Sequence, residues 1–139
     1  GFIGSALIRH IIKDTDHCVV NIDKLSYSGN LESLEPVEGD KDYIFEKLDI
    51  CNEKELHRVF RENKPDIVMH LAAQALVVKS YKNPIETFST NIIGTANLLQ
   101  SIRDIPSVKS CLIMTSDKAY DNKEWNHGEV QGRRNNAHG

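Results

Sequence analysis

Two glycines three positions apart open the chain, in Gly1-Phe2-Ile3-Gly4, and an acidic residue, Asp23, closes an apolar run nineteen positions after Gly4. These residue types at this spacing suit a dinucleotide. Backbone without side chains lets a pyrophosphate come close, and the free N–H groups of a following helix face its charge. A carboxylate at the end of the next strand accepts both hydroxyls of a ribose. A Gly-x-x-Gly pair alone is common in turns, so the specificity comes from the acidic residue ending a β-type run. In such units the motif follows a strand and begins with an earlier glycine. No hydrophobic strand precedes Gly1. The chain is therefore expected to be a piece of a larger domain, with Gly1 and Gly4 as the second and third glycines of the fingerprint.

The surrounding elements are legible as alternating periods. Residues 5–13 read as a helix with Leu7, Ile8, Ile11 and Ile12 on one stripe, and residues 18–22 as a short buried strand. A polar connection over 24–42 contains Gly29, Asn30, Pro36 and Gly39, with room for one helical turn around 31–34. Residues 43–48 alternate as a strand; Asn52 caps a helix over 53–62 whose core face is Leu56, Val59 and Phe60. A strand over 67–71 leads into an Ala72-Ala73-Gln74 turn. Asn83 then caps a long helix starting at Pro84, with Ile85, Phe88, Ile92, Ala96, Leu99 and Ile102 at helical spacing, read as core or as a helix–helix dimer face. Residues 108–115 form the last expected strand. Strands alternating with helices predict an α/β fold, a doubly wound parallel sheet built from right-handed βαβ units. Ligands bind such sheets at the carboxyl ends of the strands. Asp23, Asp49, Ala72-Ala73-Gln74 and Thr115-Ser116-Asp117 all fall at those ends.

Composition narrows the classes. The 139 residues fit one domain; 40% hydrophobic and 27% charged residues are ordinary for a globular protein. A net charge of −3 without a basic stripe gives no case for nucleic acid. Cys18, Cys51 and Cys111 are odd in number and lack a Cys-x-x-Cys pair, so neither a disulfide framework nor a zinc site is expected, and a reducing cytoplasm fits. His10, His57, His127 and His138 have no metal partner at useful spacing, and His70, ending an apolar strand, reads as a satisfied core histidine. No apolar run is long enough to span a bilayer, and no secretory signal is present.

Gly1-Phe2-Ile3-Gly4-Ser5, Asp23-Lys24-Leu25-Ser26-Tyr27, Asp49-Ile50, His70-Leu71-Ala72-Ala73 and Thr90-Asn91-Ile92-Ile93-Gly94-Thr95 together resemble the extended short-chain dehydrogenase/reductase superfamily, and within it the nucleotide-sugar 4,6-dehydratases. Residues 1–73 resemble the dTDP-glucose type. Residues 74–128, with Gln74-Ala75-Leu76-Val77 and Thr115-Ser116-Asp117-Lys118-Ala119-Tyr120-Asp121-Asn122-Lys123-Glu124-Trp125, resemble the CDP-glucose type. From about Glu129 the resemblance stops. The expected organisation is a partial NAD(P)-binding Rossmann domain over 1–128 and a disordered tail over 129–139, the substrate domain lying beyond the chain.

The resemblance implies the roles. Gly1, Phe2, Ile3 and Gly4 would present backbone to the pyrophosphate of NAD; Asp23, Lys24, Leu25 and Ser26 would surround the adenosine ribose, and Asp49 and Ile50 the adenine. Leu71, Ala72, Ala73 and Gln74 would line the path to the nicotinamide, with Thr90 nearby. An acid at position 23 favours NAD, while neighbouring Lys24 leaves some room for NADP. The family oxidises sugar C4, eliminates water across C5 and C6, and returns hydride to C6. Ser116 matches the hydroxyl that bonds the C4 oxygen, and Asp117 the acid that protonates the leaving hydroxyl. Lys118 stands where the dTDP-glucose type has a glutamate base. The oxidising step also needs a Tyr-x-x-x-Lys pair on a helix. Tyr43 and Lys47 have that spacing but lie in an expected strand ahead of the acid strand, so they are rejected. The resulting expectation is an NAD-dependent dTDP-glucose 4,6-dehydratase, present as a fragment and homodimeric when whole, with a nucleotide sugar as substrate. CDP-glucose dehydration is the alternative, and a non-catalytic NAD-binding scaffold or sensor is the reading from another class. An epimerase is disfavoured, since its site needs no Asp117/Lys118 pair.

Overall fold

The computed structural model describes residues 1–116 of the chain. Helix α1 (Phe2–Asp14) opens it, and strand β1 (Val19–Asp23) follows. A 3₁₀ helix (Leu31–Val37) leads to β2 (Tyr43–Lys47), α2 (Glu53–Asn63) and β3 (Ile67–His70). Two short helices, α3 (Val77–Lys82) and α4 (Pro84–Phe88), run through a π-helical turn (Ser89–Ile93) into α5 (Gly94–Arg103), and β4 (Ser110–Ile113) closes the order. Asp117 and Lys118, the 1–128 domain boundary and the 129–139 tail lie outside the described residues.

All strand pairing is parallel, as the alternating periods predict. Val19 to Asp23 pair with Tyr43 to Lys47, and Ile67 to His70 with Ser110 to Ile113. The pairs form two two-stranded sheets, with no ladder between β1 and β3 among the described residues. A shared core joins them. Leu56, Val59 and Phe60 of α2 and Leu98 of α5 pack with Leu48, Ile50, Val68 and Ile105, and Val20 and Ile22 of β1 and Cys111 of β4 lean on the same cluster. On the other face of β1 and β2, Ile8 and Ile12 of α1 pack with Leu34 and Val37 of the 3₁₀ helix. Helices thus cover both faces of the first pair and one face of the second.

Local chemistry sets the element ends. Asn52 Oδ1 accepts the Glu55 N–H at 3.3 Å, capping α2 as its sequence predicts, and Lys64 ends that helix in the left-handed region at φ 44°. Asn83 does the same for α4, with Pro84 in the first turn. Helix α1 begins earlier than its apolar stripe, because the Gly1 carbonyl already accepts Ser5 N–H at 2.9 Å. Tyr43 and Lys47 lie at the two ends of β2, so they cannot form the helical Tyr-x-x-x-Lys pair.

The long helix departs from its pattern. Ile85, Phe88, Ile92 and Leu99, read as core or as a helix–helix dimer face, are exposed in this chain, and the buried line is Thr90, Gly94, Leu98 and Ser101. The buried line keeps a helical period, 90, 94, 98 and 101, but it is made mostly of small and polar residues, so the apolar stripe lies on another face. Small residues on the inward line let α5 close on α2 and on Ile50. A Cβ added at Gly94 would stand 2.5 Å from Ile50 Cδ1.

Candidate cofactor and active-site rim

The carboxyl ends of the four strands carry the residues singled out by sequence. At the end of β1, Asp23 Oδ1 accepts the Leu25 N–H at 2.7 Å, which bends the chain back into a loop. Leu25 takes a left-handed conformation at φ 57°. Gly29 closes this loop: its N–H donates to Ser26 O at 2.9 Å, and a Cβ there would lie 2.6 Å from Leu25 Cα. Only glycine fits that approach. The folded loop holds Ser28 beside Gly1.

Gly1 is also the start of α1. The first backbone bond of that helix is Ser5 N–H to Gly1 O, so the N–H groups of Phe2, Ile3 and Gly4 have no partner within the helix. No acidic residue lies in the first turn. The end is open as well: Phe2 is 89% exposed and Ile3 61%. A Cβ at Gly4 would meet nothing within 4 Å, and one at Gly1 only Ser28 at 3.7 Å. The described packing therefore does not itself require glycine at either position. This donor set fits an anion at a helix terminus.

After β2, Asp49 Oδ1 accepts the Cys51 N–H at 2.9 Å while Lys24 Nζ lies 3.3 Å from Oδ2. Burial alone would raise this carboxyl, but the bonds from Cys51 and the Lys24 charge outweigh it and hold it below the usual carboxylate range. Lys24 is thus engaged with Asp49. Ile50 turns its side chain into the core, leaving its main chain to the rim. Burial, then the adjacent Asp49 carboxylate, raise the Cys51 thiol, so it stays protonated.

After β3 the chain passes Leu71, Ala72 and Ala73 and reaches Gln74, which is 7% exposed. The Gln74 side chain is consumed locally: Nε2 donates to Leu76 O and Thr87 Oγ1, and Oε1 accepts the Leu76 N–H. Its main chain is held by Asn91. Gln74 therefore shapes the rim, and a ligand would meet its backbone. His70, at the end of β3, is buried, and its Nε2 lies 2.8 Å from Thr95 Oγ1. The core reading of this histidine holds.

A small cleft collects Lys24, Ser26, Ala73, Gln74 and Thr90 with three residues not singled out as ligands, Tyr27, Lys79 and Glu86. Lys79 Nζ pairs with Glu86 at 2.6 Å and lies 5.4 Å from the Tyr27 ring centroid, so the loop after β1 meets α3 and α4. Neither Lys79 nor Glu86 is read from sequence as a site residue, and α3 itself has no side-chain cap and no buried residue to reveal it. Ser116 follows β4 at the same edge; Asp117 and Lys118 lie outside the described residues. No group of three or more metal-ligating side chains occurs among the described residues, and no helix there is long and apolar enough to cross a membrane.

Parallel strands flanked by helices, with carboxylate acceptors and backbone donors on one rim, define a Rossmann-type α/β domain. The chain belongs to the GDP-mannose 4,6 dehydratase family, which matches residues 1–124. It is 54% identical over 103 residues to the dTDP-glucose 4,6-dehydratase of Neisseria meningitidis serogroup B, covering 74% of this chain and 29% of that protein. The corresponding Escherichia coli K12 enzyme is 49% identical over 104 residues, covering 75% of this chain and 29% of its own length. The chain thus spans under a third of these relatives. Among solved structures, it superposes on the Streptomyces venezuelae dTDP-glucose 4,6-dehydratase, solved with NAD bound, at TM-score 0.80 and 29% identity, over 94% of this chain and 42% of that one. A Thermotoga maritima UDP-glucose 4-epimerase gives TM-score 0.78 at 29% identity, over 96% of this chain and 42% of its own. The resemblance to extended short-chain nucleotide-sugar dehydratases is confirmed.

Proposed function

We propose that this chain is the cofactor-binding part of an NAD-dependent 4,6-dehydratase acting on dTDP-glucose. The observation that carries the reading is the convergence at one rim of the α1 N–H groups that have no partner within the helix, the Asp23 carboxylate and the Asp49 carboxylate. Those are the donors and acceptors that the pyrophosphate, ribose and adenine of NAD require. The N–H groups of Phe2, Ile3 and Gly4, with the backbone of Gly1, would hold the pyrophosphate. Asp23 accepts the ribose hydroxyls, flanked by Lys24, Leu25 and Ser26, and Asp49 and Ile50 flank the adenine. Leu71, Ala72, Ala73 and Gln74, with Thr90, line the nicotinamide path.

Bound NAD supplies reversible hydride acceptance, from sugar C4 and back to C6 within one turnover. The residues after β4 handle the protons. The Ser116 hydroxyl bonds the C4 oxygen. Asp117, in its protonated form, would give its proton to the departing C6 hydroxyl, while Lys118, in its neutral form, would remove the C5 proton. The dTDP-glucose names of the curated relatives support that substrate. CDP-glucose remains the second reading, favoured by Lys118 and the residues around it. The whole protein is proposed to be a cytoplasmic homodimer, the exposed Ile85, Phe88 and Ile92 serving the dimer face.

The test is turnover by the full reading frame that contains this chain, offered NAD with dTDP-glucose or CDP-glucose. A 4-keto-6-deoxy product from dTDP-glucose supports the reading, and product from CDP-glucose alone moves the assignment to the second. NAD binding without product from either would make the protein a scaffold or sensor.

A further inference from the structure

The loop after β2 is held from behind by α5. Asn97 Nδ2 donates to two successive carbonyls, Ile50 O at 3.1 Å and Cys51 O at 3.2 Å. One turn earlier, Gly94 lies against Ile50, where a Cβ would stand 2.5 Å from Cδ1 and 2.6 Å from Cγ1. The Cys51 thiol adds a third tie, donating to Ser89 O at 3.3 Å. In front of this anchored segment, the Cys51 N–H holds Asp49 Oδ1 at 2.9 Å. Asn97 therefore fixes the carbonyls on either side of the peptide N–H that orients Asp49. The Asp49 side chain remains 40% exposed, and its oxygens retain acceptor capacity beyond Cys51 and Lys24.

We infer that Asn97 is a positioning residue for base recognition, aiming the Asp49 carboxylate at the exocyclic amine of a bound adenine, with Gly94 setting how closely α5 backs the loop. The inference rests on the proposed cofactor site and adds to it the helix that gives the site its base selectivity. A fixed carboxylate accepts a bond from an amine and repels an oxo group in the same place. A loop that drifts distinguishes the two far less. Loss of the Asn97 amide need not unfold the chain, because it lies at the half-exposed edge of α5 and water can reach the freed carbonyls.

The experiment titrates the 139-residue chain with NAD and with nicotinamide hypoxanthine dinucleotide, which carries an oxo group in place of the amine. The unsubstituted chain is expected to prefer NAD roughly tenfold, the scale of one charge-assisted hydrogen bond. Asn97→Ala should bring the ratio close to one with the circular dichroism spectrum retained. Gly94→Ala, which displaces Ile50 and leaves the Asn97 amide intact, should reduce the ratio as well. If the alanine variant does not fold, Asn97→Gln, which moves the amide by one methylene, carries the same expectation. An unchanged ratio in the folded position-97 variant overturns the inference, however far both affinities fall, because a structural role alone lowers both together. Equal binding of the two dinucleotides by the unsubstituted chain also overturns it while leaving the cofactor site standing. Binding of neither defeats the cofactor reading, and this inference with it.

Discussion

The side-chain amide of Asn91 and the main chain of Gln74 bond each other in both directions: Gln74 N–H donates to Asn91 Oδ1 at 2.8 Å, and Asn91 Nδ2 donates to Gln74 O at 3.1 Å. The same turn reaches the end of β3. Thr95 Oγ1 donates its single proton to Asn91 O at 2.8 Å, so His70 Nε2 donates to Thr95 Oγ1. The strand end and the loop beyond it are thus both tied to the π turn and the start of α5. Within this turn Thr90 is buried while Asn91 reaches the Gln74 main chain.

Asn91→Ala is expected to cost about 1–3 kcal/mol, since it leaves a Gln74 N–H and carbonyl without partners at the edge of the core. Urea unfolding of the two chains measures it. A loss under a few tenths would mean that water replaces the pair.

Burial holds His70 below its ordinary pKa, so the folded state favours the neutral ring. Its contribution to stability is full above the unfolded value near 6.5 and is lost as pH falls through the lower folded value. Asp49, also held below its usual range, acts in the same direction at more acid pH. The melting temperature should fall from pH 7 toward pH 5, and His70→Asn should flatten that slope while lowering stability at pH 7.

Leu56 is fully buried between α2, α5 and the strands, whereas Ile85 is 74% exposed. Leu56→Ala should cost about 2–5 kcal/mol. Ile85→Gln, in the apolar stripe read from sequence as core or as a dimer face, should stay within about 0.5 kcal/mol in the isolated chain. Denaturant midpoints of the two variants decide between the observed and the sequence-derived faces.

The contrast between those helices shows what the sequence carries. Helix α2 was legible because Asn52 caps it and its apolar positions keep one period to the end. The strands were legible as short apolar runs ending in Asp23, Asp49 and Gln74, which also marked the rim. Helix α3 was not, because Val77, Val78 and Tyr81 are exposed and show no buried periodicity. The inward face of α5 was hidden because its line, Thr90, Gly94, Leu98 and Ser101, is mostly small and polar. The Asn97 bonds to Ile50 and Cys51 span 47 and 46 positions and leave no local pattern. Gln74 was recognised as a rim residue, but its side-chain role as a loop brace depends on Thr87 and Leu76, which only the fold brings to it.

The 139-residue chain, given NAD and dTDP-glucose, should form no 4-keto product. The oxidising step needs a tyrosine and lysine one helical turn apart. The Tyr43/Lys47 pair of this sequence lies along β2. Detectable product from the isolated chain would show that another base serves.

The most direct test of the central claim is calorimetric titration of the chain with NAD and with NADP. Asp23 stands where the ribose hydroxyls are proposed to bind, and Lys24, the cation beside it, is engaged by Asp49 at 3.3 Å. A 2′-phosphate would therefore face an acid with no free partner from Lys24. The account predicts saturable NAD binding, NADP at least roughly tenfold weaker, and loss of NAD binding in Asp23→Ala. No NAD binding by the folded chain, or equal affinity for NADP, would contradict it.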